Sequence, residues 1–181
     1  MAAMREQAEL DLSDETRDIL NFLVWQLDQA FEFKPEHSLI ANLSTATPDM
    51  LDQLPPSGGR TLRDIMAHCA SVKRMHIAHA FGDGELGWWE TWDGEGELKD
   101  ADFEALVAWL RRAHAEAQAA VRGLEEDGEL LMERRTHWGE LRQTRFIIDA
   151  VLSHDIYHAG EVGHLRGLLQ HADHFPHGGR T

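Results

Sequence analysis

Apolar residues recur along this chain at intervals of three and four, and almost nowhere at alternate positions. That period belongs to helices with one buried face rather than to half-buried strands. Four segments carry it. The first follows Ser13, whose hydroxyl suits a helix cap, with Asp14 and Glu15 at the positive end of the helix. Ile19, Phe22, Leu23, Gln26, Leu27, Ala30 and Phe31 then mark its expected buried stripe. The helix is expected to continue, kinked at Pro35, through Leu39, Ile40 and Leu43. Thr47-Pro48 predicts a stop followed by a short helical turn, and Pro55-Pro56-Ser57-Gly58-Gly59 a break.

The second helix is expected from Thr61 to Gly82, carrying Ile65, His68, Cys69, Val72, Met75 and Ile77. A long connection rich in glycine, acids and tryptophan follows (Trp88, Trp89, Trp92). The third helix spans about 102–124, with Leu106, Trp109, Leu110, Ala113, Ala117 and Val121 as its stripe. A polar stretch then leaves open a short hairpin or an irregular loop. The fourth helix starts near Thr144 and reaches about Gln170. The reading is an all-α four-helix bundle with strand content near zero, a single domain over 1–170 and a flexible C-terminal tail over 171–181.

Charge narrows the partners. Seventeen Lys and Arg stand against 32 Asp and Glu, a formal charge of −15. So acidic a chain makes a poor ligand for nucleic acid, which is held by cations on phosphates, and is repelled by anionic membrane surfaces. A single cysteine excludes an intramolecular disulfide. No stretch has signal-peptide or membrane-spanning character. The expectation is a cytoplasmic protein that binds neither nucleic acid nor membrane.

The 12 histidines supply the candidate chemistry. His154 and His158 lie four apart on the fourth helix, on one face and about 6 Å apart along the axis, so both imidazoles can reach one metal ion. Spacing alone is weak, because this composition makes roughly one such pair expected by chance. Their position says more. At about 100° per residue, His154, His158 and Glu161 fall among Ile147, Val151 and Leu165, on the apolar stripe. Polar groups on a core face need partners, and a metal ion is one; hydrogen bonds among the histidines are another. A third ligand is needed, and His68 shares its face with Ile65, Val72 and Met75. His79 lies about 16 Å further along that helix, too far for the same ion, and His76 is offset by about 80°. Three imidazoles leave a coordination position open, as catalytic sites do. Glu161 is a candidate base, extra ligand or orienting group. Asp64 is a candidate support for His68, or a helix N-terminal charge. Cys69 reads as a small buried hydrophobe. His171, His174 and His177 crowd the tail. Phosphate loops, nucleophile elbows, paired Glu-x-x-His motifs and CxxC pairs are missing.

The segments PPSGGRTLRDIMAHCASV and DAVLSHDIYHAGEVGHLRGLL resemble the DinB/YfiT-like superfamily of bacterial proteins, over about residues 14–170. The most specific parts are one His in the second helix and His-x-x-Tyr-His-x-Gly in the last. The resemblance implies a four-helix bundle with a long crossover and a divalent metal, often nickel or zinc, held by three histidines. By motif position these are His68, His154 and His158. It further implies thiol S-transfer with a low-molecular-weight thiol cosubstrate, mycothiol-dependent isomerisation or metal-dependent hydrolysis, a small-molecule substrate, and a homodimer. Glu161 stands where the family often has Gln, which leaves its role open between ligand and orienting group.

Three readings follow. The chain is a metal-dependent thiol S-transferase or hydrolase, or a non-catalytic metal-binding or stress-response bundle with a closed coordination sphere, or a bundle whose histidines are structural.

Overall fold

The computed structural model describes residues 12–56, 58–87 and 99–171. The tryptophans of the long connection, Trp88, Trp89 and Trp92, lie outside these residues, as does the tail beyond His171.

Helix α1 spans Asp14–Asp28, and the Ser13 hydroxyl accepts from the Thr16 amide as its cap. Its buried face matches the expected one only in part: Leu27 is buried, as are Ala30 and Phe31 just beyond the helix, but the rest of the face is rotated. Leu20, Val24 and Leu27 face inward, while Ile19 and Phe22 are 44% and 54% exposed. The helix is apolar on two sides, so periodicity alone admits either stripe, and its packing partners choose. A π-turn over Gln29–Phe33 follows, and α2 is a separate five-residue helix, Leu39–Leu43. The expected kink at Pro35 is therefore a full break. Lys34 takes extended backbone angles (φ −91°, ψ 104°), because a proline ring crowds the preceding residue out of the helical region.

Helix α3 spans Leu62–Phe81 and opens with a capping box in which Thr61 and Asp64 satisfy each other's amides. Helix α4, Phe103–Arg122, is capped by Asp102 and buries Leu106, Trp109, Leu110, Ala113, Ala117 and Val121 as expected, and His114 besides. The polar stretch resolves into an antiparallel hairpin, β1 (Glu133–Arg135) and β2 (Leu141–Gln143), pairing Arg134 with Arg142. Arg134 ties it to the bundle, donating to the Ala80 carbonyl and the Thr144 hydroxyl and lying over the Phe81 ring. Helix α5 runs Thr144–Gln170 and ends at His171 in the left-handed conformation.

Among the described residues the architecture is mostly helical: four long helices, the short α2, single turns at Gln29–Phe33 and Pro48–Met50, and one two-stranded ribbon. Helix α3 packs on α4, and α5 on α2 and α3. Gly163 lets α5 approach α2 closely, since a Cβ there would stand 2.9 Å from the buried Asn42 Oδ1 and force that side chain to shift. Two apolar clusters fill the interior, one around Leu62, Trp109 and Val162, the other around Leu27, Val121 and Val151. Each fully buried large side chain contributes about 1.5–3 kcal/mol.

A polar layer separates the clusters, taking one residue from each long helix. Lys73 Nζ donates to Asp155 Oδ2 at 2.6 Å and to His114 Nδ1 at 3.3 Å, and His114 Nε2–H donates to Asp28 at 3.1 Å. Lys73 and Asp155 are 1% and 0% exposed. Phe31 stacks on His114 and lies under the Lys73 ammonium. Among the described residues no helix is long and apolar enough to cross a membrane.

Candidate metal centre

His68 sits in the second turn of α3, and His154 and His158 lie one turn apart in the middle of α5. The α3–α5 contact brings all three together, with ligand atoms within 4.8 Å of one another. His154 Nε2 is 3.2 Å from His68 Nε2 and 3.1 Å from His158 Nε2. A tetrahedral ion at a Zn–N distance of about 2.0–2.1 Å spaces its nitrogens roughly 3.3 Å apart, so the two measured separations fit one.

Hydrogen bonding among the rings explains these distances less well. His158 Nδ1 lies 2.6 Å from Glu161 Oε2 and donates to that carboxylate. The neutral ring then carries a lone pair on Nε2. His154 Nε2 touches both neighbours but has one hydrogen or one lone pair, never two. It can therefore satisfy one contact linearly and must leave the other without its own proton. A cation between the rings uses three lone pairs at once. The donor set thus suits a divalent transition ion, for which imidazole is an apt ligand.

The electrostatics suit it as well. Burial, helped by the neighbouring His158, holds the His68 pKa down at about 4. Burial, with His158 and His68 beside it, takes His154 to about 2. His158 is also lowered by burial, against the upward pull of Glu161. His68 and His154 are therefore neutral at pH 7, with lone pairs ready for a cation.

Glu161 stands behind His158. Burial alone would raise its pKa, but bonds from Arg60 and His158 prevail and hold it below the ordinary value. Arg60 grips it with Nη2 at 2.7 and 2.6 Å from the two carboxylate oxygens and Nε at 3.1 Å. Both oxygens are thus engaged away from the three Nε2 atoms. Sequence reasoning had no signal for Arg60 beyond its place in PPSGGRT, since its partner is 101 residues away. Asp64 is not directed at His68: its Oδ2 accepts from the Thr61 amide and hydroxyl, closing the capping box. Cys69 is buried, and desolvation pushes its thiol well above the usual range. Tyr157, 70% exposed, sets its ring edge-on to His158 at 4.9 Å.

A cavity of about 190 Å³ opens beside the Arg60–Glu161 pair, lined also by Gly59, Ile65, His164 and Leu168. A larger one of about 330 Å³ lies between α2 and α4, away from the histidines, and is lined by Leu43, Phe103, Val107 and Arg111. Size favours the second; the chemistry stands beside the first.

A family model of the DinB superfamily matches residues 34–162, which include His68, His154, His158 and Glu161. With well over half its length matched and a bundle fold of this kind, the chain belongs to the DinB superfamily. No curated protein matches it.

Proposed function

We propose that the chain is a metal-dependent enzyme acting on a small molecule, with His68, His154 and His158 as the ligands of a zinc- or nickel-class divalent ion and thiol S-transfer or hydrolysis as its reaction. The observation that carries this reading is the convergence of three Nε2 atoms at 3.1 and 3.2 Å, which one shared proton cannot satisfy and one cation can. A divalent ion there would lower the pKa of a water or a low-molecular-weight thiol, supplying a nucleophile near neutral pH.

The chain's own residues divide the remaining work. Glu161 accepts from His158 Nδ1–H, which fixes the tautomer, leaves Nε2 free to bind an ion and would raise its basicity. Arg60 holds Glu161 in that pose. With both Glu161 oxygens so engaged, an ion held by the three histidines would keep a position for the reacting group. This favours catalysis over the non-catalytic reading, which needs a closed sphere with Glu161 as the fourth ligand. The neighbouring cavity, walled by Arg60 and His164, offers the substrate room. A homodimer remains part of the proposal on family resemblance, and exposed Ile19, Phe22 and Trp25 on α1 offer an apolar face for it.

The test is turnover of a thiol acceptor and of an ester panel by tag-free protein, before and after chelation. Chelation and His158→Ala should each abolish activity while the helical circular-dichroism signal is retained. Undiminished turnover by the metal-free protein refutes the mechanism.

A further inference from the structure

The cavity of about 190 Å³ beside the candidate metal centre has two unlike walls. It starts where the three histidines end. Ile65 precedes His68 by three residues on α3, and Glu161, His164, Leu165 and Leu168 follow His158 on α5. Three residues separate His158 from Glu161 and ten separate it from Leu168, so the cavity runs from roughly 5 to roughly 15 Å beyond His158 along the α5 axis.

One wall is polar and carries Arg60, Glu161 and His164. The turn at Gly58 and Gly59, with φ of 74° and 128°, uses backbone angles that favour glycine and returns the loop to α5, where Arg60 meets Glu161. Glu161 has no acceptor capacity left. A carboxylate offers about four lone-pair sites. Arg60 Nε and Nη2 donate to Oε1, and Arg60 Nη2 and His158 Nδ1 donate to Oε2. Arg60 keeps its Nη1 amino group, with its N–H bonds, outside this pair. The exposed His164 ring carries an N–H in either tautomer. The polar wall is therefore a wall of donors.

The other wall is hydrocarbon, with Ile65 and Leu165 buried at 1% and 4% exposure and Leu168 and Pro55 beside them. The volume is below the roughly 300–1,000 Å³ usual for drug-sized ligands. A molecule that satisfies both walls is small, with acceptor oxygens at one end and a short apolar body. An ammonium group brings donors only and would face donors. A carboxylate matches the flat N–H array of a guanidinium. In a chain of formal charge −15, which repels anions at long range, such directed local donors have to supply the recognition.

We propose that this cavity binds a small organic carboxylate, with its oxygens on Arg60 Nη1 and the His164 ring and a chain of a few carbons against Ile65, Leu165 and Leu168. Resting on the function proposed above, this names the substrate class of the three-histidine site: a short molecule whose carboxylate lies roughly 5–15 Å from the reacting group.

The experiment is binding of pentanoate, pentanamide and pentylammonium to the full, tag-free chain stripped of metal, at pH 7.5. Heteronuclear NMR follows the Gly59 amide and the Arg60 Nε–H. Pentanoate should saturate with a dissociation constant on the order of 1 mM, as suits a ligand of about seven non-hydrogen atoms. Pentanamide should bind about 3–10-fold more weakly, and pentylammonium should not bind. Leu168→Trp fills the apolar end and should weaken pentanoate about tenfold or more; His164→Leu removes a donor and should weaken it about 3–10-fold. Both positions are exposed, so both variants should fold. No saturable shift, equal affinity for pentanoate and pentylammonium, or unchanged affinity in both variants overturns the proposal. Zinc binding by the same protein is read separately, by competition with a chromophoric chelator. If pentanoate binds and zinc does not, the carboxylate site stands and the metal-dependent reaction falls; if zinc binds and pentanoate does not, the carboxylate site falls and the metal reading stands.

Discussion

Removing the Glu161 carboxylate separates an orienting role from a ligating one by magnitude. In Glu161→Ala, His158 loses a charge-assisted hydrogen bond of 2.6 Å. Such bonds contribute about 1.5–3 kcal/mol. The carboxylate is 30% exposed in its side chain and shared with Arg60, so the lower half of that range applies, about 1.5–2 kcal/mol. At 1.4 kcal/mol per tenfold, zinc affinity should fall about 10–30-fold, within the span measured generally for residues that orient metal ligands. Glu161→Gln keeps an acceptor without charge and should lose only about 3–10-fold. The assay is competition with a chromophoric chelator at pH 7.5. Unchanged affinity in Glu161→Ala refutes the orienting role. A loss beyond about a thousandfold means that Glu161 itself binds the ion, and the open position argued above disappears.

Other consequences concern the scaffold. Lys73→Met leaves Asp155 without its cation in a fully buried layer and should destabilise the bundle by about 3–5 kcal/mol, whereas Lys73→Met with Asp155→Leu should recover most of that loss; urea denaturation reads both, and a single variant as stable as the parent would contradict the buried pairing. Thr61→Ala removes one half of the capping box on α3 and should cost about 0.5–2 kcal/mol, read as a lowered melting temperature. Metal-free protein should lose stability on acidification in two stages. The unfolded chain takes up protons on histidine below about 6.5, whereas folded His68 and His76 wait until about 4, and His154 and His114 until about 2. The stability these neutral rings allow is therefore complete above pH 6.5 and declines as pH falls through that window. Chemical denaturation at pH 7.5 and 5.5 in 0.5 M salt, which screens the surface charge, checks it; equal stability at both values would mean that these rings are not buried neutral.

Much of the fold was legible because helix signals are local. Thr61 and Asp102 mark the starts of α3 and α4, Thr144 opens α5, and the α4 stripe from Leu106 to Val121 follows period alone. The proximity of His154 and His158 is likewise a property of one helix. Where local signals were ambiguous or silent, the reading departed from the structure. Two apolar faces on α1 made Ile19 and Phe22 as eligible as Leu20 and Val24. Pro35 announced a disturbance without saying whether the helix would bend or end. The six-residue ribbon was too short and too charged to show an alternating pattern. His114 had no partner in sequence because Lys73, Asp28 and Phe31 reach it from other helices.

The helices, most of the inward faces and the residue types able to bind a metal follow from interactions within a few turns of chain. How those residues are used depends on long-range packing. It gave Asp64 to the helix cap, set Glu161 between Arg60 and His158, and placed a charged layer across the middle of the bundle. Each of these depends on which side chain of a distant segment arrives within about 3–6 Å, and in a close-packed interior that is settled by how whole helices and the hairpin pack, which the residues of no one segment encode.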